Sequence, residues 1–184
     1  TFREKANLFL KNYGGDSLAR IFGENYGYML KNAEIGEKSD YQSENLTTPA
    51  GSTIAWKDIL SRYNGKIVYV DFWASWGTPC IHEIPYSHKL YDELKKEDIA
   101  FLYISEDVGF KTWLEAIPAF RIPEKDAYLI HAPLIYSRVV SYFNIVNIPR
   151  YLIFDKKGML VKENAPHPSN PEVRQLLTEL AKKN

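Results

Sequence analysis

Two stretches of the chain are apolar on both faces, and they anchor the reading of everything around them. "KIVYVDF" (66–72) and "IAFLYIS" (99–105) lack the in–out alternation of a half-exposed strand, so both are expected as buried central strands of a parallel sheet. Between them, "CIHEIPYSHKLYDELKKE" spaces Ile81, Ile84, His88, Tyr91 and Leu94 as one face of a helix, with a kink expected at Pro85. A strand–helix–strand unit with a right-handed crossover follows. Upstream, "SENLTTPAGSTIAW" predicts a short hairpin turning at Pro49, Ala50 and Gly51, and "AWKDILSRY" a short helix. Downstream, the pattern predicts a helix near "GFKTWLEAI", a strand at "AYLIH" and a helix at "PLIYSRVVSYF". "RYLIF", the turn "DKKG" and "MLVKE" form a hairpin, and "NPEVRQLLTELAKK" a last helix with Pro171 in its first turn. The order gives an α/β three-layer sandwich, a mixed central sheet flanked by helices, over residues 36–184.

The first 35 residues have a different texture. Phe2, Ala6, Phe9, Leu10 and Tyr13 share one helical face, "GGDS" breaks the helix, and Leu18, Ile21, Phe22, Tyr26, Met29 and Ala33 repeat the pattern. Two short amphipathic helices are therefore expected as an N-terminal appendage (1–35), docked by its apolar stripes.

Composition narrows the function classes. The 184 residues suffice for one domain with an appendage, and 45% hydrophobic and 14% aromatic content supports a sizeable core. Twenty-three basic and 23 acidic residues cancel, so no basic stripe points to nucleic acid. No apolar run is long enough to span a membrane, and charges interrupt the N-terminal segment where a signal peptide would need an apolar stretch. Membrane association is expected only through an anchor preceding Thr1. A single cysteine, Cys80, excludes an intramolecular disulfide and a cysteine zinc cluster. His82, His88, His131 and His167 lack metal-ligand spacing with carboxylates, so neither a metal nor another cofactor is expected.

The chemistry concentrates in "VDFWASWGTPC" (70–80). This segment resembles the active-site strand and turn of thioredoxin-like proteins, where Trp-Cys-x-x-Cys carries a Pro before the second Cys. The longer "GKIVYVDFWASWGTPCIHEIP" resembles the TlpA/ResA-like branch of bacterial extracytoplasmic thiol:disulfide oxidoreductases, in which a Glu and a Pro follow the second Cys as Glu83 and Pro85 do here. "VNIPRYLIFDKKG" is similar to the segment bearing that family's cis-proline, which would be Pro149. The resemblance implies a bacterial periplasmic or cell-envelope location and partners that are protein or peptide thiols and disulfides.

It also implies the roles. A first Cys at the helix N-terminus attacks a disulfide as thiolate, and a second resolves the mixed disulfide. Gly77 occupies the attacking position, so only the resolving Cys80 remains and the two-thiol cycle is closed. Asp71 corresponds to the buried acid that takes a proton from the resolving thiol, against the plainer reading of a solvated or hydrogen-bonded strand residue. Trp73, Trp76, Thr78, Pro79, Ile148, Pro149 and Arg150 would line the groove that docks an extended peptide. Trp73 is expected in the core and Trp76 at the contact surface. Arg150 departs from the family's small polar residue, and could either favour acidic partners or be solvated. Cys80 is expected to be an inert thiol packed under the turn, although loss of a side chain at 77 could expose it. Three readings follow: an oxidoreductase deprived of its attacking Cys, a redox-inactive peptide-binding module, or a monothiol enzyme using Cys80.

Overall fold

The structure, a computed structural model, describes residues 41–130 and 137–183. The expected N-terminal helices, the boundary at residue 35 and the start of the helix foreseen at 133–143 lie outside those residues.

A short antiparallel hairpin comes first, β1 (Asn45–Thr47) and β2 (Thr53–Ala55), followed by helix α1 (Trp56–Ser61). Gly51 closes the hairpin at a φ of 79°, a left-handed conformation that costs a side-chain-bearing residue energy. Then come β3 (Ile67–Trp73), α2 (Thr78–Leu94), β4 (Ile99–Ser105), α3 (Phe110–Ala119) and β5 (Ala127–Ile130). Helix α4 (Arg138–Tyr142), β6 (Arg150–Phe154), β7 (Leu160–Lys162) and α5 (Glu172–Lys182) complete the chain. One mixed sheet runs in the order β2-β1-β5-β4-β3-β6-β7. Strands β3, β4 and β5 are parallel, while β6 runs antiparallel beside β3.

The two segments apolar on both faces are the middle of this sheet, and all seven residues of each strand are buried. Because alternate strand residues point to opposite faces, they feed two cores. On one face Ile67, Tyr69, Trp73, Phe101 and Tyr151 pack with Leu90 and Leu94 of α2, Trp113 of α3 and Leu177 of α5. On the other, Val68, Val70, Phe72, Leu102 and Phe154 pack with Trp56 and Ile59 of α1 and with Val139 of α4. Helices on both faces make the three-layer sandwich that the element order predicts.

Helix α2 departs from its expected face. The buried row is Cys80, Glu83, Ser87, Leu90 and Leu94, whereas Ile81 is exposed and Ile84, His88 and Tyr91 are only partly covered. Polar residues take the sheet-facing row because each has a polar partner: Ser87 Oγ lies 3.3 Å from Tyr103 Oη, and Glu83 accepts two hydrogen bonds from Ser169. The helix runs through Pro85, whose ring is exposed, so the missing N–H falls on the solvent side.

Candidate functional site

The register of the sheet builds the site. Asp71 lies on the α2-facing side of β3, in line with Tyr69 and Trp73. Its cross-strand neighbours are Tyr103 on β4 and Tyr151 on β6, so an acid sits among tyrosines in the covered centre of the sheet. Asp71 is buried, and its Oδ1 has no hydrogen-bond partner among the described residues. Burial first, and then the Glu83 carboxylate, hold its carboxyl well above the usual carboxylate range.

After β3 the chain turns at Ala74–Gly77, closed by a 3.1 Å bond from the Gly77 N–H to the Ala74 carbonyl. Asp107 fixes this turn from the neighbouring loop. It accepts from the Ser75 N–H (3.1 Å), the Ser75 hydroxyl (2.6 Å) and the Ser105 hydroxyl (2.7 Å). Gly77 is the N-cap of α2, with φ −79° and ψ 97°. Any residue adopts that conformation, so the backbone does not require glycine there. Thr78 and Pro79 form the exposed first turn, where proline loses no hydrogen bond. Cys80 follows and points inward at 3% exposure.

The Cys80 thiol is pushed up to about 12, mainly by burial, with the charges of Asp71 and Glu106 adding to the rise and the Ala74 backbone offsetting part of it. A cavity of about 10 Å³, at the threshold for holding one water molecule, is lined by Asp71, Trp73, Cys80, Ser87, His88 and Tyr103. Cys80 is packed under the turn, and the absence of a side chain at 77 does not bring it to the surface.

A β-carbon placed at Gly77 would lie 3.0 Å from Cys80 Sγ and 3.5 Å from Cys80 Cβ. Paired β-carbons in disulfides stand about 3.5–4.5 Å apart. The position left empty by glycine is therefore stereochemically a half-disulfide facing Cys80.

The groove residues divide. Trp73 is buried and meets Phe120 edge-to-face at 5.8 Å, whereas Trp76 is 62% exposed at the turn. The Ile148–Pro149 peptide bond is cis. Since Phe72 pairs with Arg150, one further step of the antiparallel register sets Pro149 alongside Trp73. Ile148 is partly covered and packs against both cores. Arg150 donates its Nε to the Glu163 carbonyl at 3.1 Å, which directs it along the sheet edge.

Four further residues contribute to the site in ways not foreseen from the sequence. Glu106 is buried directly after β4, its Oε1 has no hydrogen-bond partner, and burial raises its carboxyl to about 7. Asp107 holds the turn, and Ser169 and His167 in the loop before α5 face Glu83, with His167 Nδ1 3.5 Å from Glu83 Oε1. The available signal for the first two was "SED" at the carboxyl end of a central parallel strand, where α/β sheets place their ligand-facing loops. Among the described residues, no group of three or more His, Cys, Asp or Glu side chains could hold a metal ion, and no helix is long and apolar enough to cross a membrane.

Comparison with known proteins agrees with this geometry. Residues 64–160 match the family described as Thioredoxin-like. The thiol-disulfide oxidoreductase ResA of Bacillus thuringiensis subsp. konkukian is 20% identical over 160 residues, spanning 84% of this chain and 84% of its own length. ResA of Geobacillus kaustophilus is 28% identical over 123 residues, covering 65% of this chain and 58% of that protein. Among solved structures, a candidate thiol-disulfide oxidoreductase from Bacteroides vulgatus superposes with a TM-score of 0.65 at 25% identity, over 77% of this chain and 88% of the other. With an acid, a thiol and a cis-proline brought to the same end of the sheet, this chain belongs to the thioredoxin-like family and stands with its ResA/TlpA-like members.

Proposed function

We propose that the protein is a thiol:disulfide oxidoreductase scaffold whose two-cysteine cycle is closed at Gly77, with the resolving half of the site intact. The observation that carries this reading is the β-carbon position at 77, 3.0 Å from Cys80 Sγ. With a sulfur there, the chemistry has every participant. A thiolate at 77, at a helix N-terminus, attacks a substrate disulfide, bonds to one sulfur and releases the other as thiolate. Asp71 then accepts the Cys80 proton, and the Cys80 sulfur displaces the second substrate thiolate. The substrate gains two electrons and the protein is left with a disulfide between position 77 and Cys80. In the chain as it stands the first bond cannot form, because glycine carries no nucleophile. Cys80 does not replace it: a thiol raised to about 12 and 3% exposed contributes almost no thiolate.

The exposed Trp76 at the turn favours a second reading, a redox-inactive module that binds peptides bearing thiols or disulfides. Turnover separates the two. Reduction of a protein disulfide is measured for the parent and for Gly77→Cys with a common dithiol donor. An inactive parent and an active Gly77→Cys support the oxidoreductase scaffold. Two inactive proteins overturn it in favour of the binding module, and an active parent overturns the closed cycle. We further propose an exported location, in the bacterial periplasm or cell envelope, a reading supported by the resemblance to ResA; cell fractionation tests it.

A further inference from the structure

The small cavity beside Cys80 carries more polar lining than the thiol chemistry uses. Two of its lining residues hold buried polar atoms with no hydrogen-bond partner among the described residues: Oδ1 of Asp71, an acceptor, and Nε1 of Trp73, a donor. In the same lining, Ser87 Oγ and Tyr103 Oη lie 3.3 Å apart, and sharing one hydrogen bond leaves acceptor capacity on these hydroxyls. A water in a protein interior is held by two to four polar partners. The indole donor, the carboxyl oxygen and the hydroxyl pair supply them, in a volume of about 10 Å³ that suits one molecule.

His88 stands between this lining and solvent. Asp71, Trp73, Cys80, Ser87 and Tyr103 are at most 8% exposed, whereas His88 is half-buried. One contact orients its ring: Nε2 lies 2.9 Å from the carbonyl oxygen of Phe120, the residue that ends α3. A carbonyl only accepts, so in the neutral ring Nε2 carries the proton and Nδ1 is the basic nitrogen. Among the residues lining the cavity, His88 is the one titratable group that also reaches the surface.

We propose that His88 is the proton exit of the buried Asp71, exchanging its proton with solvent through a water in the cavity. The inference rests on the oxidoreductase reading, in which Asp71 takes the Cys80 proton during resolution and must shed it before the next cycle. Asp71 gives its proton to the water, the water passes one of its own to His88 Nδ1, and the imidazolium releases a proton to solvent. Only O–H and N–H bonds change, and both the water and the neutral imidazole are restored. Without such a route, a carboxyl this deep meets solvent protons only when the surrounding structure opens.

The test uses the parent chain and no turnover, so its failure is distinct from failure of the oxidoreductase reading. Carbon NMR of the Asp71 carboxyl, assigned by its loss in Asp71→Asn, reports how fast the proton leaves. Rapid exchange gives one line that moves with pH, and slow exchange gives separate lines for acid and carboxylate. The parent is expected to show one averaged line. His88→Gln keeps an amide donor for the Phe120 carbonyl but has no basic nitrogen. It is expected to slow exchange by about a hundredfold, the scale of a placed acid–base group, and so to split the line. A merely structural His88 would leave this variant like the parent. Cross-relaxation between a long-lived water and the carbon-bound ring protons of Trp73 and Tyr103 is expected in the parent. The proposal is overturned by equal exchange in parent and variant, by a parent already in slow exchange, or by the lack of that water contact.

Discussion

Glu106→Gln should stabilise the protein at neutral pH and do little in acid, by an amount the structure sets. Glu106 is 7% exposed, its Oε1 has no partner, and its carboxyl stands at about 7 instead of 4.5. Between those two values the folded chain holds a proton that the unfolded chain has already lost. Folding stability therefore falls as pH rises through that window, then levels off. A rise of about 2.5 units at about 1.4 kcal/mol per unit bounds the loss near 3.5 kcal/mol. Glu106 sits at the carboxyl end of the central strand β4, where local relaxation and water penetration reduce this to about 1–2 kcal/mol. Glutamine keeps the shape and has no proton to lose. Urea denaturation of both proteins at pH 4 and pH 8 isolates the term, because every other titrating group, Asp71 included, is common to the pair. The expected result is near-equal stability at pH 4 and an advantage of about 1–2 kcal/mol for the variant at pH 8. An advantage that is the same at both pH values would refute the reasoning.

Two further outcomes follow from the same geometry. Native Cys80 should react with iodoacetamide at pH 7 about a thousandfold more slowly than in the urea-unfolded chain, since three units separate 9.0 from about 12; a stoichiometric reaction of the folded protein at the unfolded rate would contradict its burial. Asp107→Ala should cost about 2–4 kcal/mol in urea denaturation, because it strands the Ser75 N–H and hydroxyl and the Ser105 hydroxyl together; a loss below about 0.5 kcal/mol, the scale of an ordinary surface change, would show that the turn does not depend on it.

What the sequence disclosed and what it hid differ for a physical reason. Strands β3 and β4 were legible because burial on both faces leaves apolar residues on both faces, and the two hairpins because Gly51 and Gly158 stand where φ is positive. The face of α2 was misjudged because periodicity counts apolar side chains, whereas Glu83 and Ser87 are buried by hydrogen bonds to partners far along the chain. The same limit hid Asp107 and Ser169. Ser75 and Asp107 are 32 residues apart, and Glu83 and Ser169 are 86 apart, so only the folded sheet brings them together. Asp71, Gly77, Cys80 and Pro149 could be picked out only because their spacing resembles a known family. The register then explains the arrangement: Asp71 lies between Tyr103 and Tyr151, and the strand after Pro149 pairs with the strand leading to Gly77.

If the site lacks only the cysteine side chain at position 77, a count of free thiols in Gly77→Cys shows it. After mild oxidation by glutathione disulfide and unfolding in denaturant, the account predicts a monomer with no free thiol and no bound glutathione, which returns two thiols on reduction. That is the outcome expected when a β-carbon at 77 stands 3.5 Å from Cys80 Cβ. A protein that instead keeps a free thiol, carries glutathione or links to a second chain would show that the two positions do not face each other as a disulfide requires, and would contradict the account.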